Sequence, residues 1–382
     1  DPLSVTRFFA THADLLAPLN ELGKQTRANS ALAAKIRHKY RLKNTTGLSL
    51  NALVDFDQPL DILSHLLVGS EGTLGFISAV TYNTVPDHPH KASALLVFPD
   101  VESCCRAVTV LKQQPVSAVE LLDRRSLRSV QNKPGMPEWV KGLSDSACAL
   151  LIESRAASQS LLHEQLQLIM ASIADFPLEK QVDFSEDPAV YNLLWKIRKD
   201  TFPAVGAVRQ TGTTVIIEDV TFPIEQLADG VNRLLALFDK HGYDEAIIFG
   251  HALEGNLHFV FTQAFETPEQ IARYSAFMDD VAQLVAVEFG GSLKAEHGTG
   301  RNMAPFVELE WGNDAYQLMW QIKRLLDPQG ILNPDVILSE DRDIHLKNLK
   351  PLPAADDIID KCIECGFCEP GCPSKGLTLS PC

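Results

Sequence analysis

No apolar run in this 382-residue chain approaches the ~20 residues needed to cross a bilayer, so any membrane association has to be peripheral. Basic residues are in short supply. The 34 Lys and Arg stand against 49 Asp and Glu, and a net charge of −15 argues against nucleic acid or an anionic membrane as the main partner. Neither an H-E-x-x-H motif nor a serine-nucleophile motif occurs, which removes two common signatures of hydrolases. No signal peptide or transit sequence leads the chain, and Asp1-Pro2 stands where a Met would; the expectation is an internal piece of a longer polypeptide, working in the cytoplasm or peripherally at the inner face of the cytoplasmic membrane. Cysteine is sparse before the tail: Cys104, Cys105 and Cys148 fall in apolar segments and read as plain buried thiols in a reducing compartment.

What is present is concentrated at the C-terminal end. Cys362-Ile-Glu-Cys365-Gly-Phe-Cys368-Glu-Pro-Gly-Cys372-Pro373 is C-x2-C-x2-C-x3-C-P. That spacing lets Cys362, Cys365 and Cys368 hold one 4Fe-4S cluster while Cys372 points to another, so electron transfer is expected. Zinc is the rival, but its sites usually pair two C-x2-C units across a longer gap. Cys382 has no assigned role.

Residues 1–43, Leu/Ala-rich and basic toward their end, read as a solvated helix. A glycine-rich turn, Gly69-Ser70-Glu-Gly72-Thr73-Leu-Gly75, then precedes a β-rich run; its glycines would let backbone amides approach a phosphate or flavin closely, although such a turn is ordinarily only a turn. From about residue 91 strands and helices alternate: strands 92–98, 117–122, 147–153, 213–220, 246–250 and 257–262, helices 101–113, 158–173, 188–199, 223–240 and 268–289. The pattern predicts an α+β fold, a mainly antiparallel ferredoxin-like sheet with helices on one face. Asp327-Pro-Gln-Gly330 closes a helix, and residues 339–357 read as a linker.

His251-Ala-Leu-Glu-Gly-Asn-Leu-His258 sets two histidines around a Gly-Asn turn between apolar strands, a hairpin with both imidazoles at its mouth. Glu296 and His297 lie in a second glycine-flanked stretch, 290–300. Two His and one Glu, with His297 as a neighbouring base, form an open divalent-metal site, although paired histidines near a turn are more often structural. Glu254 is the alternative third ligand. Arg198, in the basic run Trp195-Lys196-Ile197-Arg198-Lys199, is either a surface residue or a bidentate carboxylate clamp. Lys294 is either an exposed charge or a cation near the reacting centre.

Ser70-Glu-Gly-Thr-Leu-Gly75, His251-x6-His258, Glu296-His297-Gly298 and Asp327-Pro-x-Gly-Ile-Leu-Asn333-Pro334, in that order, resemble the FAD-linked oxidases of the vanillyl-alcohol-oxidase type. The added cysteine motif resembles their long bacterial branch, which joins a flavin half to an iron-sulfur half and includes respiratory D-lactate dehydrogenases. The resemblance implies the C-terminal part of a PCMH-type FAD domain over 1–86, a substrate and metal cap over 87–340, and a linker with the start of a ferredoxin-type segment over 341–382. It implies FAD contacts from Gly69, Ser70, Gly72, Thr73, Gly75 and Asn333. A divalent ion (zinc, manganese or iron) would be held by His251, His258 and Glu296, where the substrate hydroxyl is acidified. His297 would take the proton while Arg198 pairs with the C1 carboxylate and the C2 hydride goes to flavin. Electrons would continue through the 4Fe-4S cluster to quinone or a cytochrome.

The 2-hydroxyglutarate branch carries Lys and Asn at positions that align with Ile217 and Val260. Apolar residues there favour the methyl of D-lactate over a second carboxylate, with Lys294 as the countervailing cation. Glycolate and D-2-hydroxyglutarate are the alternative substrates. Nothing in residues 1–60 resembles the family's main pyrophosphate loop, and the other ligands of a second cluster are absent. Two other classes compete, a non-catalytic iron-sulfur electron carrier and a metal-dependent hydrolase. The first needs no histidine site and the second leaves the cysteines unexplained.

Overall fold

Runs rich in Leu, Ile, Val and Phe, bounded by Pro, Asp and Gly, supply the framework of the computed structural model, which describes residues 2–356, 359–362 and 366. They form strands β1 (His90–Phe98), β2 (Ala118–Leu122), β3 (Cys148–Ala156), β4 (Lys180–Ser185), β5 (Thr214–Thr221), β6 (Ile247–His251) and β7 (Asn256–Gln263). All pairings are antiparallel, in the order β4-β1-β3-β2-β6-β7-β5. The first four strands thus repeat the split β-α-β order of a ferredoxin-like unit, and β2–β6 pairing joins it to a second, shorter set.

Around the sheet run α1 (Pro2–Thr11), α2 (Ala13–Ala28), α3 (Ser30–Lys39), α4 (Ala52–Asp55), α5 (Pro59–Leu66), α6 (Val101–Leu111), α7 (Arg124–Val130), α8 (Gln159–Ser172), α9 (Pro188–Lys199), α10 (Thr201–Val208), α11 (Leu227–His241), α12 (Pro268–Ala282) and α13 (Val307–Leu326). Their starts follow from local chemistry. Asp100, Asp123 and Asp187 accept the exposed amides at the heads of α6, α7 and α9, and Thr267 with Gln270 forms a capping box ahead of Pro268.

Strand alternation divides the sheet's side chains into two layers. Leu96, Leu121, Ile152, Ile248 and Phe259 meet α6, α11 and α12 on one side, where Phe259, Phe261 and Phe277 stack edge to face around Tyr243. Leu95, Leu122, Leu151, Phe249 and Val260 meet α7, α9 and α10 on the other. Helices therefore cover both faces, not one: α7 (Arg-Arg-Ser-Leu-Arg-Ser-Val) has few apolar residues and α10 (Thr-Phe-Pro-Ala-Val-Gly-Ala-Val) is apolar nearly all round, so neither gives a one-sided periodic signal.

A separate core joins the two ends of the described chain. Leu19, Ala33, Ile36, Leu53 and Ile62 pack against Trp311, Met319 and Ile322 of α13. The described residues of this stretch are accordingly three helices rather than one: α1 is solvated and has no buried residue, whereas α2 and α3 each bury one side, with Leu16, Leu19, Ala33 and Ile36. Lys39 and Glu310 form a buried ion pair at 2.9 Å, and Glu310 also accepts Leu293 N and Asn44 Nδ2, which ties this core to the loop that carries Glu296. Gly47 is required at the junction, since its φ is +81° and a Cβ would lie 2.5 Å from Met319 Cε. The β-rich run expected after Gly75 is not a strand. Residues 76–88 are irregular, with Phe76, Tyr82 and Val85 more than four-fifths exposed, because no neighbouring strand among the described residues pairs with them.

Candidate active site

The hairpin between β6 and β7 closes through one 3-10 turn (Ala252–Glu254) and Gly255, where φ is +65° and a Cβ would meet Phe222 O at 2.1 Å. This turn sets His251 and His258 on the same sheet face with ring centroids 5.3 Å apart. The 292–300 loop is held over them by Asp219 of β5, whose Oδ2 accepts the amides of Glu296 (2.6 Å) and His297 (3.3 Å). As a result Glu296 Oε1 lies 3.2 Å from both His251 Nε2 and His258 Nε2, and the three donors fall within 4.8 Å of one another. Glu254, the alternative ligand, is exposed in the turn and outside this group.

These donors fit a divalent cation. His258 is buried, its Nδ1 has no hydrogen-bond partner, and desolvation followed by the neighbouring His297 depresses its pKa to about 4, so it is neutral, as a ligand must be. Burial pushes the Glu296 carboxyl up, but Lys43 at 3.1 Å and His251 more than offset this and hold it ionised. Two imidazole nitrogens and one carboxylate oxygen gathered this closely are a donor set that a divalent cation accepts.

Arg198, near the end of α9, reaches the same cleft. Its Nε donates to Glu120 Oε2 at 2.7 Å and its guanidinium lies 4.2 Å over the Phe249 ring, while its terminal nitrogens make no hydrogen bond among the described residues. The cleft has a volume of about 580 Å³ and is lined by the polar residues Arg198, Lys199, Asp200, His251, His258, Glu296 and His297 together with Phe202, Ile217 and Phe249. His297 stacks on His258 at 4.9 Å, with Nδ1 3.5 Å from Asp219 Oδ1.

Two expected substrate contacts lie behind the cleft wall. Val260 is fully buried, paired with Ile217 and Ile247 across the sheet. Lys294 is buried between Glu218 (2.8 Å) and Asp219 (3.0 Å); burial lowers its pKa, but the two carboxylates raise it further, so the ammonium is already matched.

Residues 69–75, expected to contact flavin, form a tight turn beside the 292–300 loop. Gly69, Glu71 and Gly72 have positive φ, and around Gly72 there is open space. Ser70 and Thr73 point inward, and Thr73 Oγ1 donates to Ser70 O. Glu71 accepts Thr299 N (2.6 Å) and Gly300 N (2.8 Å), and Asn333 Nδ2 donates to Glu71 O (2.7 Å). Gly75 packs beside Leu67. Bare backbone at Gly72 and the turn's positive-φ amides suit close approach of a flavin or its phosphates. In the tail, Cys362 is exposed and its carbonyl accepts Arg209, while Cys365, Cys368, Cys372 and Cys382 lie outside the described residues.

Glu120, Asp219 and Lys43 are the site residues that sequence reasoning missed. A signal existed for the first: Glu120 is a lone acid in the apolar strand Ala118-Val-Glu-Leu-Leu122, a pattern that costs stability unless the charge is paired.

The family described as FAD linked oxidases, C-terminal domain, matches residues 87–337. The chain is 31% identical to D-lactate dehydrogenase (cytochrome), mitochondrial, of Arabidopsis thaliana over 72% of its own length and 47% of that protein. It is 27% identical to glycolate oxidase subunit GlcD of Bacillus subtilis (73% and 57%) and 29% identical to D-2-hydroxyglutarate dehydrogenase, mitochondrial, of Bos taurus (71% and 48%). It thus spans about half the length of these relatives. Among solved structures, p-cresol methylhydroxylase with substrate bound aligns with TM-score 0.49 and 16% identity over 66% of this chain and 53% of that one.

Proposed function

The chain belongs to the FAD linked oxidases, and we propose that it supplies the substrate half of a flavin-dependent dehydrogenase for small D-2-hydroxyacids, with D-lactate as substrate and pyruvate as product. The observation that carries this is the meeting of His251, His258 and Glu296 with Arg198 and His297 in one cleft. A divalent ion held by the first three supplies, when bound, Lewis acidity at the substrate hydroxyl, and FAD at the 69–75 turn and Asn333 supplies the hydride acceptor. Arg198, anchored through Nε, offers its two terminal nitrogens to the C1 carboxylate. His297, whose backbone amide is held by Asp219, is the base that receives the hydroxyl proton.

Phe202, Ile217 and Phe249 support a methyl-sized substituent at C2, because a second carboxylate against them would be desolvated and would need a cation partner, for which Lys199, which also lines the cleft, is the candidate. Lys294, committed to Glu218 and Asp219, does not offer that partner. Preference for the D-acid rests on family likeness to relatives named for D-lactate and D-2-hydroxyglutarate. The cysteine run at residues 362–372 supports onward transfer through a 4Fe-4S cluster, and the relative named for cytochrome supports a cytochrome, with quinone as the other candidate acceptor.

The test is anaerobic bleaching of the flavin band in the whole FAD-loaded enzyme with D-lactate, L-lactate, glycolate and D-2-hydroxyglutarate at equal concentration. D-lactate is expected to bleach fastest. Faster bleaching by D-2-hydroxyglutarate would move the substrate assignment, and bleaching by none would remove the dehydrogenase reading.

A further inference from the structure

Glu120 is a buried carboxylate with each oxygen committed. Oε1 lies 2.5 Å from His251 Nδ1, and Oε2 lies 2.7 Å from Arg198 Nε. The first partner is fixed by the sheet, since β2–β6 register sets Glu120 directly across from His251. The second comes from α9, which packs over the same face. An ionised carboxylate this deep is costly unless both oxygens are hydrogen-bonded, and here both bonds go to groups that face the cleft.

We propose that Glu120 is a positioning residue shared by the metal ligand His251 and the carboxylate clamp Arg198, fixing the distance and orientation between the two. The inference rests on the reading of the site given above. At His251 the bond keeps the ring proton on Nδ1, which turns the Nε2 lone pair toward His258 and Glu296. At Arg198 it holds the guanidinium by Nε against Phe249 and leaves the terminal nitrogens for a carboxylate. One side chain thereby sets where a 2-hydroxyacid's carboxylate lies relative to its hydroxyl.

Glu120→Gln keeps the side chain's size, but its single carbonyl oxygen can accept from only one of the two partners, and its NH2 opposes the other. Titrating Mn2+ into the chain, followed by the loss of the free-ion EPR signal, should show affinity about 10–100-fold weaker in Glu120→Gln than in the parent. In the loaded whole enzyme the KM for D-lactate should rise together with the loss of kcat. Glu153→Gln is the control, a buried acid on neighbouring β3 bonded to Trp195 and Ser93 away from the metal donors, and it should leave Mn2+ affinity unchanged.

If Glu120→Gln binds Mn2+ as tightly as the parent while His258→Ala does not, the inference falls and the site reading stands. If His258→Ala also binds as tightly, the site reading falls and the inference with it. Equal weakening in Glu120→Gln and Glu153→Gln would mean general loosening of the sheet, and would overturn the inference. Should Glu120→Gln fail to fold, the imidazole 15N shifts of neutral His251 in the unaltered, metal-free chain decide: a proton on Nδ1, toward Glu120, is expected, and a proton on Nε2, toward Glu296, overturns the proposal.

Discussion

At the scale of single residues, the cleft divides its labour between groups that bind and groups that shape. His258→Ala should abolish tight Mn2+ binding to the chain and lower kcat of the loaded enzyme by more than about 10²-fold, because it removes one of three metal donors; unchanged metal stoichiometry would refute the assignment. Ile217 lines the apolar wall, so Ile217→Lys should raise kcat/KM for D-2-hydroxyglutarate relative to D-lactate by about 10-fold or more, through a new partner for the distal carboxylate. Steady-state kinetics with both acids checks it.

Asp123 gives a residue-scale prediction for stability. Burial raises its pKa to about 6, above the ordinary carboxyl range, although Ser126 and the Ile248 backbone pull the other way. A raised folded-state pKa means that the folded chain holds the proton more tightly. This contribution is therefore fullest below about pH 4, declines as pH rises through about 6, and is level above that. Asp123→Asn, which still caps α7, should be more stable than the parent at pH 7 but not at pH 4, by denaturant unfolding.

At the scale of elements, the β6–β7 hairpin is the part most plainly written in the sequence. Its signal is local: a Gly-Asn pair between alternating apolar runs, with a histidine on either side. The 292–300 loop was also identifiable as a site segment from its glycines. Glu120 was not, because its meaning arises from strand pairing between positions 131 residues apart. The same cause hid Asp219, whose partners come from the 292–300 loop. The stretch 76–88 alternates as a strand does, but a strand is realised only where a neighbour offers a ladder. Between elements, Glu310 is the pin that joins α13 to α3 and the metal loop. Glu310→Ala should cost about 3–5 kcal/mol by leaving Lys39 buried and unpaired, measured by denaturant unfolding.

At the scale of the whole molecule, the described residues hold a core on each face of the sheet and a further one, against α13, built from residues far apart in sequence. Leu19 and Ile36 cannot announce that they will meet Trp311 and Met319, since periodicity identifies an apolar side but not what covers it. The charge of −15 sets the colloidal behaviour of this body. Like charge opposes contact between copies at low ionic strength, while Phe76, Val80, Tyr82 and Val85 are exposed on a stretch with no strand partner among the described residues. Raising the salt should therefore increase self-association, and Tyr82→Lys should suppress it, both read by light scattering. An absence of salt dependence would show that the strip does not pair.

The bridge from Glu71 to the amides of Thr299 and Gly300 makes the 69–75 turn, proposed for FAD, and the 292–300 loop, proposed for the metal, one mechanical unit. Two ligands that order the same unit are joined in a thermodynamic cycle, and a cycle closes. By whatever factor bound metal tightens FAD, FAD must tighten metal by the same factor, and Glu71→Ala should bring both factors toward one.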